Sequence, residues 1–164
     1  MTQPDGKVRA TPGEAGAPHE VLELEHFLPY RLSVVSNHIS QTIAAVYAER
    51  FGISITEWRV LAVLGRYPDL SANGVAERTA MDKVAVSRAV TRLAKTGLIE
   101  RETHDADRRR SVLRLSADGL AVYDQVVPLT LDYERDLLAG FSAEERATLD
   151  RLLTRLDLAS RPQS

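Results

Sequence analysis

Apolar residues recur at intervals of three and four along most of this chain, and the pattern is interrupted between about residues 98 and 115. In "FLPYRLSVVSNHISQTIAAVYAERFG", Leu32, Val35, Ile39, Ile43 and Val46 share one stripe, the signature of an amphipathic helix. Pro29 suits its first turn and Gly52 its end. In "SITEWRVLAVLGRYP", Trp58, Leu61, Ala62 and Leu64 give a second apolar face, with Thr56 as cap and Pro68 as stop. A short helix follows Ser71, with Val75 and Ala76 pointing inward, and another follows Asp82, with Val86, Val90 and Leu93 as its stripe and Gly97 as its terminator. "LIERE" and "VLRLS" are then β-compatible and flank the charged stretch "THDADRRRS", which predicts a hairpin with a charged tip. Ser116 opens a long helix carrying Leu120, Tyr123, Val127, Leu131 and Leu138, interrupted by Pro128, which should kink it or relieve its backbone locally. Ser142 and Glu145 form an S-x-x-E capping box before a stripe of Leu149, Leu152, Leu153 and Leu156.

The predicted class is therefore mostly α with a small β-hairpin (α+β). Residues 1–20, rich in Pro, Gly and Ala without periodicity, read as a disordered tail. Residues 55–115 form a helical unit ending in the hairpin, flanked by helices at 21–54 and 116–160. The chain of 164 residues contains no cysteine, which excludes disulfides, thiolate metal sites and thiol redox sensing. Its four histidines (His19, His26, His38 and His104) show no i, i+4 pair, so neither a metal nor any other cofactor is expected. No apolar run approaches a membrane span, and the N-terminus has no signal-peptide core; the expected compartment is the cytoplasm.

Charge sharpens this picture. The chain as a whole carries a formal charge of −2. Between Lys83 and Arg114, nine basic side chains face four acidic ones, a surplus of five, which leaves the remainder at −7. A local positive field of this kind suits a polyanion better than a neutral small substrate. At about 100° per residue, Val84, Ser87, Arg88, Thr91, Arg92 and Lys95 point away from the core stripe, and Lys83 and Ser71 join them at the helix starts. Such a face offers an apolar group for a thymine methyl, hydroxyls for bases or phosphates, and guanidiniums for guanine. Taken alone it also suits a solvated surface. Its position as the second helix of a helix-turn-helix, followed at once by a basic hairpin, favours DNA. Arg108, Arg109 and Arg110 at the tip suit a narrow minor groove or the backbone, with Asp107 orienting a neighbouring guanidinium. Strand alternation alone does not say which arginine enters the groove.

With these pieces assembled, the sequence resembles the MarR family of winged helix-turn-helix regulators over about residues 27–158. The resemblance rests on "TEWRVLAVL", "MDKVAVSRAVTRLAKTGLIERE" and "DADRRRSVLRLSADG". Asp107 and Arg109 match the family's D-x-R wing signature, and Leu115, Ser116 and Gly119 its L-[TS]-x-x-G continuation. Val84 departs from the family, which often has Ser or Thr there, so the base preference at that position is open. The resemblance implies a homodimer whose N- and C-terminal helices interleave in a dimerisation layer, with Leu28, Leu32, Leu149, Leu152, Leu153 and Leu156 as interface residues; each also suits intrachain core. It implies double-stranded DNA with a palindromic operator as partner, and Arg109 as the minor-groove arginine. It further implies a small-molecule effector, such as an aromatic acid or thioester, at Tyr30, Arg31, Ser36, Asn37, His38 and Trp58, although solvent or cross-dimer contacts also suit that polar face.

The expected function is a sequence-specific transcriptional regulator, a repressor released by its ligand. The alternatives are a ligand-independent DNA-binding protein and a winged-helix protein-interaction module. No metal cluster, Gly-rich phosphate loop or catalytic triad spacing is evident, so no enzymatic activity is expected.

Overall fold

The structure, a computed structural model, describes residues 20–103 and 111–161. The expected tail, apart from residue 20, and the tip residues Asp107, Arg108, Arg109 and Arg110 lie outside the described residues. The elements run α1 (Leu28–Phe51), α2 (Ile55–Arg66), α3 (Ala72–Thr79), α4 (Lys83–Lys95), β1 (Ile99–Thr103), β2 (Ser111–Leu115), α5 (Ala117–Leu137) and α6 (Ala143–Ser160). The chain is mostly helical with one small antiparallel hairpin. No helix among the described residues is long and apolar enough to cross a membrane. The chain divides into two compact units, Met1–Ile55 and Thr56–Ser164.

The first unit is dominated by α1. Proline occupies its first turn, and Gly52 ends it in the left-handed region at φ 64°, donating its N–H to the Ala48 carbonyl. The predicted stripe is not buried: Leu32, Val35 and Val46 are exposed and Ile39 and Ile43 half-buried, whereas Tyr47 and Ile53 are fully covered.

The second unit has a continuous core. Val60, Leu61 and Leu64 from α2, Val75 and Ala76 from α3, and Val86, Ala89, Val90 and Leu93 from α4 are buried, together with Ile99, Leu113 and Val126. Two expectations for α2 are corrected. The helix begins at Ile55, so Thr56 lies inside its first turn and is not its cap. Its buried face is Glu57, Val60, Leu61 and Leu64, with Trp58 and Ala62 only half-buried. The stripe is turned by one residue because an acidic side chain occupies a core-facing position. Trp58 packs at its flank, its ring 6.0 Å from that of Tyr123.

Caps set the path of the chain between helices. The Ser71 hydroxyl accepts the Gly74 N–H at 3.1 Å, starting α3. Ala80 turns the chain at φ 51°. Asp82 then accepts the Val84 and Ala85 N–H groups at 2.9 and 3.0 Å, starting α4. β1 and β2 pair from Ile99↔Leu115 to Thr103↔Ser111. An isolated β-bridge beside the hairpin was not expected. Leu70 bridges Leu113, whose N–H bonds the Leu70 carbonyl at 2.8 Å, so the segment before α3 borders the hairpin.

The start of α5 docks on the turn between α4 and β1. Ser116 accepts the Gly119 N–H at 3.0 Å, and its own N–H reaches the Leu98 carbonyl at 3.1 Å. A Cβ on Gly119 would stand 1.8 Å from that same carbonyl oxygen, so only glycine permits the approach. Along α5 the predicted stripe is corrected. Leu120 and Leu131 are exposed, Tyr123, Val127 and Leu138 half-buried, and Gly119 and Val126 buried. The helix runs on past Pro128. In α6 both halves of the Ser142/Glu145 capping box are made, yet no residue of α6 is buried. The bond from the Ser142 backbone N–H, with help from the Ser142 hydroxyl, holds the Glu145 carboxyl below the usual carboxylate range.

Candidate nucleic-acid interface

α4 separates its two faces cleanly. Val86, Ala89, Val90 and Leu93 enter the core, and Lys83, Val84, Ser87, Arg88, Thr91, Arg92 and Lys95 are exposed. The structure thus brings all seven α4 residues singled out in the sequence onto one surface. Val84 is 58% exposed, an unusual position for a β-branched apolar side chain and one suited to an apolar base contact. The Thr91 hydroxyl donates to the Ser87 carbonyl at 2.9 Å, leaving its oxygen able to accept. Ser71 is exposed at the start of α3, not on α4, and its hydroxyl is engaged in the cap.

Two of the counted cations, though exposed, are paired with carboxylates of the same chain. The Arg92 Nε lies 3.0 Å from Glu57 Oε1, with side chains 65% and 4% exposed. Arg114 on β2 pairs with Asp69 in the loop before α3 and, at 2.8 Å, with Glu102 on β1. The Asp69 hydrogen bond, then the charges of Asp69 and Glu102, raise the Arg114 pKa above its ordinary value. Arg114 therefore fastens the hairpin to the loop before α3, and its contribution to the outward field is offset. Neither pairing was legible in the sequence, because the partners are far apart along the chain. A third feature also escaped it. The guanidiniums of Arg66 and Arg78 both lie over the Tyr67 ring, at 4.8 and 3.9 Å from its centroid.

The residues tied to a small-molecule effector fall in both units. Tyr30, Arg31, Ser36, Asn37 and His38 are exposed along the first half of α1, and Trp58 lies half-buried on α2 beside Tyr123. The expected interface leucines, Leu28 and Leu32 on α1 and Leu149, Leu152, Leu153 and Leu156 on α6, are all exposed in the single chain.

Comparisons with known proteins agree with this architecture. The MarR family model matches residues 51–110. A MarR/EmrR family transcriptional regulator from Acinetobacter sp. ADP1 superposes with a TM-score of 0.77 at 28% identity, covering 84% of this chain and 97% of that one. A Thauera aromatica protein named for regulation of the hcr operon is 30% identical over 105 residues, 64% of this chain and 63% of that protein, so the chain spans just under two thirds of that relative. The homoprotocatechuate degradative operon repressor of Escherichia coli is 25% identical over 105 residues, 64% of this chain and 71% of that protein. With a helix-turn-helix, a paired wing and the serine-capped α5 in their expected order, the chain belongs to the MarR family of transcriptional regulators.

Proposed function

We propose that this regulator, which is not an enzyme, binds a palindromic site in double-stranded DNA as a homodimer and represses transcription until a small ligand releases it. The observation that carries the DNA reading is the outward face of α4, where Lys83, Val84, Ser87, Arg88, Thr91, Arg92 and Lys95 stand exposed on a helix anchored by four buried residues. A helix so presented fits the major groove. On sequence grounds Arg108, Arg109 and Arg110, with Asp107 as orienter, extend the contact into the flanking minor groove or backbone. The exposed leucines of α1 and α6 support pairing with a second copy, since apolar surface of this extent marks an interaction site. Repression is supported by the name of the E. coli relative, an operon repressor. The site of action is the cytoplasm.

Titration of labelled duplex DNA at several salt concentrations tests the DNA reading. The expected result is binding that weakens steeply with salt. An absence of binding even at low salt contradicts it and favours a protein-interaction module. The ligand reading has its own test: with an anionic effector, Arg31→Ala abolishes release from DNA while binding itself persists. An unchanged response in the gel-shift titration overturns the assignment of Arg31.

A further inference from the structure

We infer that Glu57 is a positioning residue for DNA recognition, acting through Arg92. This rests on the DNA-binding reading and adds to it a residue on α2 that lies beneath the interface.

A buried carboxylate is costly unless it is paired. Glu57 is 3% exposed, the one charged residue among the buried described residues. Its carboxylate meets Nε of Arg92 at 3.0 Å. On α4, Arg92 lies about 80° round the helix from Val84, at the margin between the outward face and the core. From that margin its side chain reaches back to α2 while remaining 65% exposed. Holding an arginine by its Nε edge leaves the far edge of the guanidinium available for a second acceptor. The guanidinium is planar and presents its donors as a rigid fork, so fixing one edge fixes the direction of the other. Glu57 thereby sets Arg92 before DNA arrives, and the ordering cost is met in folding and not in binding. The acceptor suited to the free edge is a phosphate oxygen pair or the Hoogsteen edge of a guanine.

The sign of the effect separates this role from simple electrostatics. Removing a negative charge beside a DNA-binding face should tighten binding to a polyanion; loss of a positioning carboxylate should weaken it. The experiment measures affinity for a duplex enriched by selection, across salt concentrations, for the wild type, Glu57→Gln, Arg92→Ala and the double variant, after thermal melts establish that each is folded. Glu57→Gln is expected to weaken binding about tenfold and to reduce the dependence on salt by roughly one released counterion, as Arg92→Ala does. The double variant is expected to bind no more weakly than Arg92→Ala, because Glu57 affects DNA binding through Arg92. Unchanged or tighter binding by Glu57→Gln, or penalties that multiply in the double variant, overturns the inference. Arg92→Lys serves if Glu57→Gln does not fold: it keeps the charge but loses the fork, and a comparable loss is expected, whereas wild-type affinity overturns the proposal. A folded wild type that binds no duplex at low salt instead defeats the DNA reading itself, and this inference with it.

Discussion

Helices α4 and α6 carry apolar stripes of similar spacing, yet they use them differently. In α4, Val86, Ala89, Val90 and Leu93 are buried within the chain. In α6, no residue is buried, and Leu152 and Leu153 remain 45% and 48% exposed. The pattern of apolar positions therefore says that a face will be covered, not by what. For α4 the cover is the rest of its own lobe, so the opposite face is fixed in space and available to read DNA. For α6 the cover proposed is a second copy of the chain.

Substitutions on the two helices should separate these roles. Replacing Leu152 and Leu153 together by Asp is expected to cost roughly 3–6 kcal/mol of association, since each buried leucine contributes roughly 1.5–3 kcal/mol. Sedimentation should show a single chain where the wild type sedimentes as two; an unchanged dimer would place the interface elsewhere. Leu93→Ala should act inside the lobe and lower its unfolding free energy by roughly 2–5 kcal/mol, read from the denaturant midpoint. Were it to cost less than the α6 pair costs at the level of folding, the contrast between the helices would fail. Gly119→Ala drives a methyl group into the Leu98 carbonyl and is expected to destabilise by roughly 1–3 kcal/mol, visible as a lower melting temperature and a displaced start of α5. Ser142→Ala, which removes the α6 cap, should cost about 1 kcal/mol.

The same cap predicts a weak pH dependence. Glu145 has its folded-state pKa lowered by the Ser142 N–H and hydroxyl. Its contribution is thus fully present above the ordinary carboxylate range and is lost as pH falls through the lowered value. Melting curves taken toward acid should show this for the wild type, with Glu145→Gln lacking that component.

The contrast also explains what could be read from the sequence. Caps are local, so Ser71, Asp82, Ser116 and Ser142 were legible, each as a short polar side chain before an apolar run. The outward face of α4 was legible because its buried face has an unbroken period. The phase of α2 was not, because Glu57 occupies a buried position that composition marks as solvent. The stripe of α5 was misread for a related reason: glycine at 119 is buried through close backbone approach, and apolar pattern does not register it. The pairs Glu57–Arg92 and Asp69–Arg114, and the Leu70 bridge to Leu113, join residues distant along the chain. Their identities carry no local signal, so counting charge overstated the field that faces outward.

Selection of bound duplexes from a random-sequence pool tests the central claim most directly, namely that the exposed face of α4 reads DNA within a symmetric dimer. Wild-type protein should enrich an inverted repeat, and Arg88→Ala should relax the preference at one matched position in each half, at a cost of about 1–3 kcal/mol if it reads a base. Recovery of the pool without enrichment, or an identical preference from Arg88→Ala, would contradict the account.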